Sequence, residues 1–207
     1  DSRNDKGFWG QDYYQPKWIS THYTLLDLKN IGIEPHQTDI RKIVDSILKN
    51  EKAPDGGILP IGLLKKCDVC VNGMALNFLS YFGANEEELH SVVDFILSEK
   101  MGDGGFNCHS NRKGAVHSSM HTTISVLEGF YEFLKYDDQY RVNDIQKAIA
   151  DSVEFLLMHH LYKSDKTGHI IKDDFLKLYY PTRWYYDILR ALDFFQYANI
   201  PYDARMD

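Results

Sequence analysis

An amphipathic helix followed by a Gly-Gly turn occurs more than once in this chain, and that repetition limits the folds open to it. Apolar residues fall at Ile40, Ile43, Val44, Ile47 and Leu48, and again at Leu89, Val92, Val93, Ile96 and Leu97. The spacing i, i+3, i+4, i+7, i+8 gathers each set on one face of a helix. The two sets lie 49 positions apart, and Asp55-Gly56-Gly57 and Asp103-Gly104-Gly105 follow them. A third set, Ile149, Val153, Leu156 and Leu157, comes 60 positions after the second. It is interrupted by Ser152 and ends more loosely, at Gly168. Helical units recurring about every fifty residues are the signature of a repeat architecture.

Other helices alternate with these. Residues 17–30, 69–82, 117–134 and 184–197 read as helices apolar nearly all round, and such helices are buried on all sides. The amphipathic ones are expected over 39–49, 86–98 and 143–160. Loops are expected over 55–66, punctuated by Gly56, Gly57, Pro60 and Gly62, and over 102–116 and 163–182. No strand pattern competes. The alternation predicts a single all-α domain over 1–207, an α/α toroid with buried helices in an inner ring and amphipathic ones outside. An open solenoid of HEAT units, at about 40–47 residues each, is the runner-up, but it lacks the Gly-Gly-aromatic turn. Gly7-Phe8-Trp9 reads as that same turn from a unit whose helix precedes Asp1. Asn199-Ile200-Pro201 reads as the loop into a further helix. The toroid is therefore expected to be incomplete and the chain a fragment of a longer one. Its open inner face would favour a homo-oligomer.

With 23 basic and 30 acidic residues the net charge is −7, and no basic stripe appears, which argues against nucleic acid. No apolar run approaches the roughly 20 residues of a membrane span. Three cysteines, Cys67, Cys70 and Cys108, are an odd number and no disulfide framework, which favours a reducing, cytoplasmic setting. The 14% aromatic content suits a core and also a large apolar cavity.

Residues 93–108, VDFILSEKMGDGGFNC, resemble the repeat of squalene cyclases and of protein prenyltransferase β subunits. The chain is thus similar to the terpenoid cyclase and prenyltransferase superfamily of α/α toroids. Lys100 stands where that repeat often has Gln, and Ile58 replaces the aromatic in the first unit. The resemblance implies a central cavity at the ends of the inner helices and a small apolar or isoprenoid-like ligand. Candidate ligand-binding residues at those ends are Trp18, His22, Asn72, Arg183, Trp184 and Asp187. Local capping is the alternative for Asn72, and an i,i+4 pair is the alternative for Arg183 with Asp187.

The same resemblance implies two zinc sets. Asp68 and Cys70 have the D-x-C spacing of prenyltransferases, with His121 on a later inner helix. Cys70 with Cys108 and His109 resembles the ligands of lanthionine synthetase cyclases. Zinc would activate a thiolate for transfer. The alternative is that the cysteines are small buried hydrophobes. Val71, Asn72 and Gly73 stand where prenyltransferases have aromatics, and nothing points to their α subunit. The D-x-D-D acid of squalene cyclases is absent; Asp137-Asp138 and Asp173-Asp174 are only pairs. Two other classes stay open. One is a carbohydrate-active toroid using Asp187 and Asp68; the other is a non-catalytic repeat module for protein contacts.

Overall fold

The computed structural model describes residues 3–5, 7–60, 66–137 and 139–207. Gly62 and Asp138 lie outside them. Among the described residues the protein is all-α, with isolated bridges and no strand. Its helices are α1 Thr21–Asn30, α2 Thr38–Asn50, α3 Val69–Tyr81, α4 Glu86–Ser98, the single turn α5 Ser110–Lys113, α6 Met120–Tyr136, α7 Val142–Met158 and α8 Ile188–Tyr197. No helix among the described residues is long and apolar enough to cross a membrane.

The helices predicted to be buried form one layer in the order α1, α3, α6, α8, and α4 and α7 pack against the backs of α3 and α6. The apolar face of α2, from Ile40 to Leu48, is buried in the same core. The layer is tightest between α3 and α6. A Cβ on Gly129 would lie 2.3 Å from the Gly73 carbonyl oxygen, and one on Gly73 would lie 2.6 Å from that of Ser125. Only glycine lets two helix backbones come this close.

The Asp-Gly-Gly motif joins the layers, and each of its residues has a separate task. The carboxylate of Asp55 accepts the Cys67 N–H at 3.0 Å, and that of Asp103 accepts the Ser118 N–H at 2.8 Å. Each acid thereby fixes the lead-in to an inner helix. The first glycine is left-handed, with φ +90° at Gly56 and +97° at Gly104. Its carbonyl accepts the hydroxyl of an outer helix: Ser91 at 2.9 Å for Gly56, Ser152 at 3.0 Å for Gly104. Ser152 interrupts the apolar set because it makes this bond. The residue after the second glycine is fully buried and held at its backbone by an inner-helix side chain. Asn72 Oδ1 accepts the Ile58 N–H at 2.7 Å, and Thr123 Oγ1 accepts the Phe106 N–H at 3.1 Å. The turn needs volume at that position rather than aromaticity, which accounts for Ile58.

Each Asp-Gly-Gly turn is closed by a backbone bond, Ala53 N–H to the Gly57 carbonyl at 2.9 Å and Met101 N–H to that of Gly105 at 3.0 Å. Similar bonds run from Asn4 N–H to the Phe8 carbonyl and from Ser164 N–H to that of His169, both at 2.8 Å. The segments around Gly7 and Gly168 share this bond and a left-handed glycine, but Ile170 is exposed where Ile58 and Phe106 are buried. Three inner helices start later than expected, at Thr21 instead of Lys17, Met120 instead of His117 and Ile188 instead of Trp184. Trp18 and Arg183 have φ of +83° and +52°, which no α-helix accepts. Ser118 is gripped by Asp103, and Asp187 caps α8 by accepting the Arg190 N–H at 2.8 Å.

Candidate ligand cleft

The lead-ins to the inner helices meet at one end of the layer and enclose two adjoining cavities, of about 440 and 540 Å³. His121, Lys172 and Trp184 line both. The smaller is bordered by the starts of α3 and α6 and by the loop before α5. The larger is bordered by the 170s loop and the aromatic run before α8.

Three rings line the larger cavity, and one of them, Trp184, lines the smaller as well. Trp18 and Tyr185 stack with centroids 6.0 Å apart, and Tyr185 and Trp184 at 4.1 Å. Cations border the stack. The Lys17 ammonium sits 4.8 Å from the Trp18 ring and 5.0 Å from that of Trp184. The Arg183 guanidinium lies 5.0 Å from the Trp18 ring and 3.9 Å from the Asp27 carboxylate. Desolvation lowers the pKa of Lys17. Among the described residues neither Lys17 nor Lys172 forms a close ion pair, although the Lys172 charge acts on the Asp174 carboxylate, which also lines the larger cavity and is paired with Lys177. The Trp184 Nε1–H and Arg183 Nε–H are enclosed without an acceptor among these residues.

His121 stands where the cavities meet. Its Nδ1 accepts the Tyr186 N–H at 2.7 Å, which places the neutral ring's proton on Nε2. Burial, then the Lys172 and Arg190 charges, lower its pKa to about 4. At neutral pH it is an uncharged Nε2–H donor.

The candidate residues divide sharply. Trp18, Arg183 and Trp184 are at the cleft. His22 is fully buried, its Nδ1 bonded to the Tyr13 hydroxyl at 2.8 Å, with its pKa lowered to about 3 by burial. Asn72 holds Ile58, and Asp187 caps α8 while accepting the Tyr179 N–H at 2.9 Å. Those three serve the fold. The Arg183–Asp187 helix pair does not form, because Arg183 precedes the helix and Asp187 is its cap.

Asp68, Cys70, Cys108, His109 and His121 do line one cavity. They are engaged in other ways. Cys70 and Cys108 form a disulfide, with Cα atoms 5.8 Å apart. Asp68 is ion-paired with Arg112. His121 would have to give up the Tyr186 N–H to offer Nε2 to a metal. Among the described residues no three His, Cys, Asp or Glu side chains are grouped to hold a metal ion, so neither set fits zinc as it stands. The disulfide also corrects the expectation of unpaired thiols. Its cysteines are 38 residues apart, and the odd one is Cys67, buried beside Gly57.

Lys17 and Lys172 were not among the sequence candidates. Lys172 had one available signal: it lies in a connection of 163–182, and loops of that length inside a domain are usually functional. No family model matches the chain, and no curated protein matches it significantly.

The two buried histidines make stability depend on pH. Each has an ordinary pKa near 6.5 when unfolded and about 3 (His22) or about 4 (His121) when folded. Between those values the unfolded chain binds more protons, so stability is full above about pH 6.5 and falls as pH drops toward 4. Urea titrations at pH 7 and pH 5 are expected to show the lower midpoint at pH 5. NMR should find both rings still neutral at pH 5. A midpoint unchanged between the two would refute this.

Proposed function

We propose that the protein is an α/α toroid of the squalene-cyclase and prenyltransferase kind, and that its cleft binds a ligand with an anionic head and an apolar, isoprenoid-like body. One observation carries the reading. Lys17, Lys172 and the His121 Nε2–H, none in a close ion pair among the described residues, border a stack of three aromatic rings. Ammonium groups suit a phosphate or carboxylate head. The enclosed N–H groups of Trp184 and Arg183 add donors that await an acceptor. The rings offer apolar faces to the body, and cavities of 440 and 540 Å³ are of ligand size. The cysteines, Asp68 and His121 are committed elsewhere, so no zinc-assisted transfer is part of the proposal.

The test is a fluorescence titration, since Trp18 and Trp184 report from the cleft. Geranylgeranyl diphosphate, geranylgeraniol and inorganic diphosphate serve as probes. The diphosphate lipid is expected to bind best. Lys17→Ala and Lys172→Ala should each weaken it about tenfold or more, the scale of a hydrogen bond to a charged group. The reading is lost if the alcohol binds as well as the diphosphate, or if the double variant binds normally.

A further inference from the structure

At the other end of the same four helices lies a separate cavity of about 330 Å³. Its walls come from Lys29 of α1, Asn77 and Tyr81 of α3, Glu128 of α6, and Asp193 and Tyr197 of α8. Most of their polar groups are matched. Glu128 is paired with Arg190 at 2.7 Å, and Lys29 with Glu132 at 3.5 Å. Two groups are not. Asn77 is 2% exposed, and among the described residues its amide makes no hydrogen bond; Oδ1 is wholly enclosed. A buried amide without a partner is costly, and native proteins rarely leave one so. Asp193 meets no cation or donor among the described residues.

The surroundings indicate which ligand would satisfy both. With Lys29 and Glu128 neutralised, the unpaired charge of the lining is the Asp193 carboxylate. The cavity lies among the last residues of α1, α3 and α8, Asn30, Tyr81 and Tyr197, where the helix dipoles are negative. Tyr81 and Tyr197 already flank an ammonium, that of Lys29, at 6.0 and 5.5 Å. Ring faces, a free carboxylate, an amide acceptor and helix C-termini all favour positive charge.

We infer that this cavity is a second binding site, independent of the cleft, for a small organic cation: an ammonium or guanidinium on a short apolar stem. The cationic head lies between Asp193 and the Asn77 amide, and the stem lies along Tyr81 and Tyr197.

Calorimetry at about 150 mM salt, which screens diffuse attraction to the acidic surface, tests this. The probes are agmatine and the neutral 1,4-butanediol, on the wild type, Asp193→Asn and Asn77→Leu. Agmatine is expected to bind the wild type, to bind Asp193→Asn about tenfold more weakly and to show no binding to Asn77→Leu. The diol is expected to give no heat. Asp193 is exposed, so its variant keeps the test valid even where Asn77→Leu folds poorly. The inference is overturned by no agmatine binding to the wild type, by equal binding to wild type and Asp193→Asn, or by a diol that binds as tightly as agmatine.

Discussion

Gly129→Ala is expected to cost about 3–5 kcal/mol of stability, the range of the severest core substitutions. Taken alone, alanine favours a helix interior over glycine by about 1 kcal/mol. At this position the new Cβ would sit 2.3 Å from the carbonyl oxygen of Gly73. That neighbour is backbone in the middle of a fully buried helix and has no rotamer to move into. The two helices must separate, and α3 is enclosed along almost its whole length, from Val69 to Ser80. Separation therefore opens the centre of the molecule. Gly102→Ala is the control, since nothing lies within 4 Å of its Cβ. Urea denaturation followed by helical circular dichroism should show a collapse for the first and almost no change for the second. Similar midpoints for the two would refute the close-packed α3–α6 contact.

How far the sequence can be read varies along the chain for identifiable reasons. The helices and the Asp-Gly-Gly turns were legible because periodicity and a left-handed glycine are local properties. Ser152 looked like a flaw because its partner, the Gly104 carbonyl, is 48 residues away. Helix starts were misplaced where long-range grips set them, as Asp103 does for Ser118. The cleft was legible in depth but not in direction. A helix apolar all round gives no azimuth, so Trp18 and His22 seemed equivalent although one borders a cavity and the other bonds Tyr13. Asn72 shows the same ambiguity, since a lone polar residue on a buried helix serves a turn as readily as a ligand. The metal candidates of both sets line one cavity. What stayed hidden was how they are engaged, because a disulfide across 38 residues and an Asp68–Arg112 pair are products of the tertiary fold.

Arg190→Leu is expected to cost about 3 kcal/mol and to disorganise the cleft as well, which ties the fold to the site. Arg190 is 6% exposed and makes four bonds. Two reach Glu128, at 2.8 and 2.7 Å; one reaches the Tyr185 carbonyl at 2.7 Å, and one reaches Ser125 Oγ at 3.2 Å. The first two join α6 to α8. The third holds the middle ring of the Trp18–Tyr185–Trp184 stack. Leucine strands the Glu128 carboxylate without its cation and leaves the Tyr185 carbonyl without its donor. The double variant Arg190→Leu/Glu128→Leu separates the two effects. Replacing both members of an enclosed ion pair by apolar residues is often nearly neutral, so most of the stability should return. The Tyr185 carbonyl still lacks its donor, so affinity for the diphosphate lipid should not return with it. Denaturation midpoints and fluorescence titrations on the three proteins measure both quantities. If the double variant recovers full affinity, Arg190 matters only through Glu128. If the single variant costs under about 1 kcal/mol, the pair behaves like an ordinary surface contact and does not anchor α8.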